Sequence, residues 1–129
     1  MKIDSLLIKK ADDAIEKAGI VNKEGQYDKV FKGYVSSFGA SIAQAGLIPT
    51  IIFFEAKSEQ AKERPKLVDA LMFLLDSNCQ DETLAQSLLR MRAENEKEVY
   101  EREEKLLLKK VTEAMVAIKL ALRLYKVKE

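Results

Sequence analysis

Helix and strand breakers are scarce in this chain: Pro49 and Pro65 are its two prolines, and five glycines are spread over 129 residues. Proline removes a backbone donor and glycine costs backbone entropy, so a chain with few of either favours a few long segments over many short strands. Apolar residues make up 47% and charged residues 33%, a balance that excludes a disordered chain and fits an independent helical core. About two thirds of the unfolded surface can be buried at this size. The expectation is a single all-α domain over residues 1–129.

Apolar spacing divides that domain into helices. Leu7, Ala11, Ala14, Ile15 and Ala18 recur at helical intervals over residues 4–18, and Gly19 stands where a helix-ending glycine belongs. Residues 20–26, with Gly25, read as a loop. Over residues 27–45, Tyr27, Val30, Phe31, Tyr34, Val35, Phe38 and Ile42 share one stripe. The opposite face carries Lys29, Lys32, Ser36, Gly39, Ala40 and Ala43. Glycine inside a helix costs about 1 kcal/mol against alanine, so Gly39 points to a close approach by another backbone, either a packed helix or a sugar–phosphate chain. Residues 47–55, LIPTIIFFE, suit a buried strand by propensity. A lone strand has no pairing partner, however, and Pro49 suits a first helical turn, so a short buried helix is expected.

Residues 57–64 read as a solvated connection. A fourth helix starts at Pro65 and carries Leu67, Val68, Leu71, Met72 and Leu75 on one face; residues 76–80 break it. Asp81 is the expected N-cap of a shorter fifth helix bearing Leu84, Leu88 and Leu89. The last helix is long. Residues 94–104 are almost purely charged, with Glu98–Arg102 and Glu101–Lys105 at supporting i,i+4 spacing. Leu107, Val111, Ala114, Met115, Ile118, Leu122 and Tyr125 then form a core stripe.

Composition excludes several chemistries. Histidine is absent, which removes Ser-His-Asp and Cys-His catalysis and the commonest metal ligand. Cys79 is the one thiol, so neither an internal disulfide nor a cysteine zinc site forms. The carboxylates of residues 94–104 lie in a fully charged neighbourhood, without the burial that catalytic carboxylates require. No glycine is followed by the Lys-Ser or Lys-Thr of a phosphate loop. No cofactor and no metal are expected, and the chain is expected not to be an enzyme. The first residues contain only a short apolar run, broken by Lys9 and Lys10, unlike a signal peptide. No stretch approaches the ~20 apolar residues of a membrane span. A cytoplasmic protein without membrane contact is therefore expected. With 22 basic against 21 acidic residues, any nucleic-acid affinity must come from local patches.

Two blocks carry a family resemblance. Residues 31–54 read FKGYVSSFGASIAQAGLIPTIIFF, and residues 112–126 read TEAMVAIKLALRLYK. The first places Tyr34 on a helix, then Gln44-Ala45-Gly46-Leu47 as a turn, then an apolar helix ending in Phe53 and Phe54. The second is a Thr/Glu/Ala helix start followed by an apolar–basic run. Together they resemble the small helical subunit of type III-B CRISPR effector complexes, the Cmr module. The resemblance implies a compact bundle of about six helices and a structural role in antiviral defence. It implies partners as well: backbone and large subunits, further copies of the chain stacked into a short filament, and the paired guide and target RNA. In that family the target-cutting chemistry belongs to a neighbouring backbone subunit.

On a helical wheel, Lys105, Lys109, Lys119, Arg123 and Lys126 fall opposite the core stripe, with Val116 and Leu120 among them. The expected RNA-phosphate contacts are Lys119, Arg123, Lys126 and Lys109, joined by Lys29 and Lys32 from the second helix. Val116 and Leu120 are the expected partner-interface residues, unless the bundle covers them from another direction. A helical adaptor that binds protein alone, through Val116, Leu120 and the small face of the second helix, is the alternative. Salt dependence separates the two, because phosphate contacts release counterions.

Overall fold

The computed structural model describes residues 2–76 and 82–128. Among them are α1 (Ser5–Lys17), β1 (Gln26–Tyr27), α2 (Val30–Ala45), α3 (Leu47–Glu55), α4 (Pro65–Leu74), α5 (Leu84–Glu94), α6 (Lys97–Leu122) and β2 (Lys126–Val127). Among the described residues the fold is all-α apart from a small parallel pairing of β1 with β2 and an isolated antiparallel bridge between Val21 and Tyr27. Cys79 and Asp81 lie outside the described residues. No described helix is long and apolar enough to cross a membrane.

α1 follows its sequence pattern. Asp4 caps it by accepting the Leu6 N–H at 2.8 Å, and Gly19, at φ 78°, reverses the chain behind it. Ala11, Ala14 and Ile15 are fully buried, and the helix packs most extensively on α6 and α4. Small alanines on that face let the helices approach closely.

α2 starts later than its apolar stripe suggested. The Asn22 carboxamide oxygen accepts the N–H groups of Glu24 and Gln26, so a side-chain-capped turn takes up donors ahead of the helix. Tyr27 then belongs to β1, where Lys126 donates to the Gly25 carbonyl at 3.0 Å and Lys128 to that of Tyr27 at 2.7 Å. The Asp28 carboxylate accepts the Val30 N–H and starts the helix. Val30, in this first turn, is exposed, whereas Phe31, Val35 and Phe38 are buried.

The segment 47–55 is a helix, as Pro49 implied, entered through Gly46 at φ 94°. Buried Thr50 is satisfied by donating to the Gly46 carbonyl and meeting Ser41 Oγ, each at 2.8 Å. Burial is one-sided, which corrects the expectation of a wholly buried segment: Ile48, Ile51 and Phe54 are in the core, but Ile52 is 48% and Phe53 54% exposed. Nine residues make two and a half turns, and only one face of a helix on the bundle surface meets the core. The Arg64 guanidinium, from the connection 57–64, covers the Phe53 ring at 4.0 Å. At the centre, Phe54 meets Phe38 edge-on at 4.9 Å and Tyr34 at 6.4 Å.

The N-cap of α5 is Thr83, which exchanges hydrogen bonds with Gln86 in a capping box. Glu55, at the end of α3, accepts the next two donors, Leu84 N–H at 2.9 Å and Ala85 N–H at 3.1 Å. A carboxylate at a helix N-terminus is favoured by the helix dipole, so this contact fixes α5 to α3. Leu89, expected inside, is exposed.

α6 begins at Lys97, after an extended Asn95 and Glu96, so Glu94 ends α5 instead of starting the long helix. Neither expected pair, Glu98–Arg102 or Glu101–Lys105, forms. Lys97 approaches Glu101 at 3.9 Å, and Arg92 of α5 binds Glu104 across the helix pair at 2.6 Å. The core stripe from Val111 to Leu122 is buried as expected. Tyr125 lies beyond the helix end.

Candidate functional site

α2 packs against both α3 and α6. Its outer face and the C-terminal turns of α6 form the walls of a groove of about 490 Å³, lined as well by Tyr27, Tyr125 and Val127 of the β1–β2 region. Lys32 and Ser36 enter it from α2, Lys119 and Arg123 from α6. The helical register places Lys32 and Ser36 one turn apart, and Lys119 and Arg123 likewise, so each helix contributes adjacent side chains. Two basic patches that lie 87 residues apart in sequence, counting from Lys32 to Lys119, thus meet in one concave site.

None of Lys32, Lys119 and Arg123 has a carboxylate within 4.0 Å among the described residues. Several carboxylates are engaged elsewhere: Asp13 with Lys9, Asp76 with Lys10, Glu82 with Arg90, Glu104 with Arg92. The groove therefore presents three cations without an ion-pair partner among the described residues, an arrangement that attracts anions.

The other expected contact residues sit apart. Lys29 is exposed just before α2, about one turn from Lys32. Lys126 is exposed on β2, which corrects its placement on the helix face. Lys109 is exposed ten residues before Lys119, roughly 15 Å away along the helix. Val116 and Leu120 are half-buried. Val116 lines a second, apolar cavity of about 240 Å³ with Phe38, Gly39, Ile42 and Met115, next to the basic groove and sharing Val35, Ser36 and Lys119 with it. Leu120 lines neither cavity.

Gly39 also departs from expectation. No atom lies within 4 Å of where its Cβ would stand, so neither a helix nor a backbone approaches it. Gly39 and Ala40 are exposed because α2 turns its large residues inward and its small ones to solvent.

Tyr125 of the groove lining donates its hydroxyl hydrogen to the Asp12 carboxylate of α1. That bond, with partial burial and the nearby charges of Asp12, Glu16 and Asp13, pushes the phenol from 10.0 up to about 12. Sequence spacing carried no sign of this contact, since its partners are 113 residues apart. A raised phenol pKa means that the neutral form is favoured by folding. The contribution is therefore complete below pH 10 and lost as pH rises towards 12. Tyr125→Phe should cost about 1 kcal/mol at neutral pH, allowing for solvent screening. In urea melts across that alkaline window, the parent and variant stabilities should converge.

Among the described residues no three His, Cys, Asp or Glu side chains gather as a metal-holding group. No curated protein and no solved structure matches the chain. A protein-family model does. It is that of CRISPR-associated protein (Cas_Cmr5), and it spans residues 8–119, including all of the block 31–54 and the start of the block at 112; the chain belongs to this family.

Proposed function

We propose that the chain is a non-catalytic, single-domain structural subunit of a type III-B Cmr ribonucleoprotein, acting in the cytoplasm, and that its groove holds RNA phosphates beside the guide and target strands. The observation that carries this reading is the convergence of Lys32, Lys119 and Arg123 in one groove without a carboxylate partner among the described residues. Flexible ammonium groups and a planar guanidinium suit phosphate oxygens, and contacts of this type position a strand without reading its sequence. Lys29, Lys126 and Lys109 extend the basic surface around the groove at longer range.

Stacking of copies, with contacts to the backbone and large subunits, completes the proposal. Glu98, Glu101 and Glu103 are exposed at the start of α6, and Lys119 and Arg123 at its end. Along α6 these opposite charges are separated by roughly 24–38 Å at 1.5 Å per residue. Head-to-tail contacts between copies build open filaments. Aligned copies multiply weak phosphate contacts by effective concentration.

Photo-crosslinking of 4-thiouridine-substituted target RNA in the assembled complex tests the reading. Crosslinked peptides should come from α2 around Lys32 and from the end of α6 around Lys119 and Arg123. Crosslinks confined to other subunits, with the chain still present in the complex, would leave a protein-only adaptor as the better description.

A further inference from the structure

The basic groove and the apolar cavity beside it share Val35, Ser36 and Lys119. One hydroxyl and one cation thus stand at the boundary between a charged compartment and an apolar one. We infer that the two cavities form one nucleotide site, in which the basic half holds the phosphate and the apolar half receives a single base of unpaired RNA. The inference rests on the proposed RNA contact and adds what the apolar compartment is for.

The chemistry of the walls favours a base over the alternatives. Gly39, Ile42, Met115 and Val116 offer an apolar slot of about 240 Å³. Ser36 makes no side-chain hydrogen bond among the described residues and is free to meet a base edge, whereas Thr112 in the same slot donates its hydroxyl to the Leu108 carbonyl. An apolar side chain from a protein would fill the slot but would cover Lys119 without supplying an anion, and an unpaired cation is costly to desolvate. A nucleotide supplies the apolar ring and the anion together in one molecule. A duplex cannot enter, because its bases are stacked and paired; a splayed, single-stranded base can.

Gly39 makes the idea testable without damage to the fold. Its missing side chain opens onto the slot, nothing lies within 4 Å, and the residue is helical. Gly39→Leu therefore places a Cβ that meets no protein atom, extends an apolar side chain over the slot, and improves helix propensity. Gly33→Leu is the matched control, since Gly33 is also helical and uncrowded but lines neither cavity. Binding is read by fluorescence anisotropy of a labelled short oligouridylate, the abasic ribose–phosphate chain of the same length, and a duplex RNA, each titrated with the full chain.

The parent should bind oligouridylate about tenfold more tightly than the abasic chain, as for a single stacked base, and more tightly than the duplex. Gly39→Leu should melt no lower than the parent and lose that tenfold margin, while Gly33→Leu keeps it. Equal binding of oligouridylate and abasic chain by the parent, with all binding lost on Lys119→Glu and Arg123→Glu, overturns the base slot but leaves the phosphate contact standing. If those charge reversals also change nothing, both readings fail. If Gly39→Leu alters only self-association in sedimentation, the slot seats a second copy and the inference is overturned.

Discussion

Reversing Lys32, Lys119 and Arg123 to glutamate should strip most target-RNA retention from the assembled complex while leaving assembly and helicity intact. All three side chains line one groove, and none is paired with a carboxylate among the described residues. Their removal therefore breaks no ion pair described within the fold, and surface substitutions of this type usually shift stability by no more than about 0.5 kcal/mol. Each phosphate contact to single-stranded RNA contributes about 0.7 to the slope of log affinity against log salt, so losing three lowers it by about 2. Filter binding of the purified complex over a salt series measures this. The single change Lys109→Glu, roughly 15 Å from Lys119, should lower retention far less than the triple variant. An unchanged slope in a normally assembled triple variant would show that the groove does not touch the strand, and the protein-only adaptor would take precedence.

Phe54→Ala should destabilise the fold by about 3–5 kcal/mol, a large part of the roughly 5–15 kcal/mol available to a domain of this kind. Phe54 is buried, and its ring meets Phe38 at 4.9 Å and Tyr34 at 6.4 Å, both edge-on. Truncation removes those contacts and leaves a cavity that helices fixed by other anchors, such as Glu55 on α5, cannot close. Thermal melts should fall by on the order of 15 °C. The adjacent Phe53→Ala is the internal contrast. Phe53 is half exposed and covered chiefly by the Arg64 guanidinium at 4.0 Å, a contact worth about 0.5–1 kcal/mol at such sites. Similar losses from the two substitutions would mean that the aromatic cluster is not the packing centre.

These two phenylalanines mark a boundary in what the sequence could reveal. Both belong to an apolar run in which period and hydrophobicity could not tell inside from outside. For the longer segments the period sufficed: Ala11, Ala14 and Ile15 in α1, and Val111, Ala114 and Ile118 in α6, are buried where their spacing put them. It failed at element ends. Tyr27 looked like helix and became strand, because the turn at Asn22 and pairing with Val127 take its backbone. The fifth helix is capped by Thr83 with Gln86, a capping box that was present in the sequence beside the expected Asp81.

For the candidate site the division is sharper. Residue identities determined by themselves that the chain is helical, that it has no histidine chemistry, that two blocks resemble the Cmr small-subunit family, and that basic residues cluster on two separate helix faces. Helical period depends only on neighbours three and four residues away, so a single sequence carries that information in full. Only the tertiary structure decided that Lys32 meets Lys119 and Arg123, that Lys109 and Lys126 stand apart, and that Gly39 opens onto an empty slot. Those relations depend on how α2 crosses α6 and on the Tyr125–Asp12 bond that holds the C-terminal segment. Both are set by packing between residues distant in the chain, for which local spacing carries no signal.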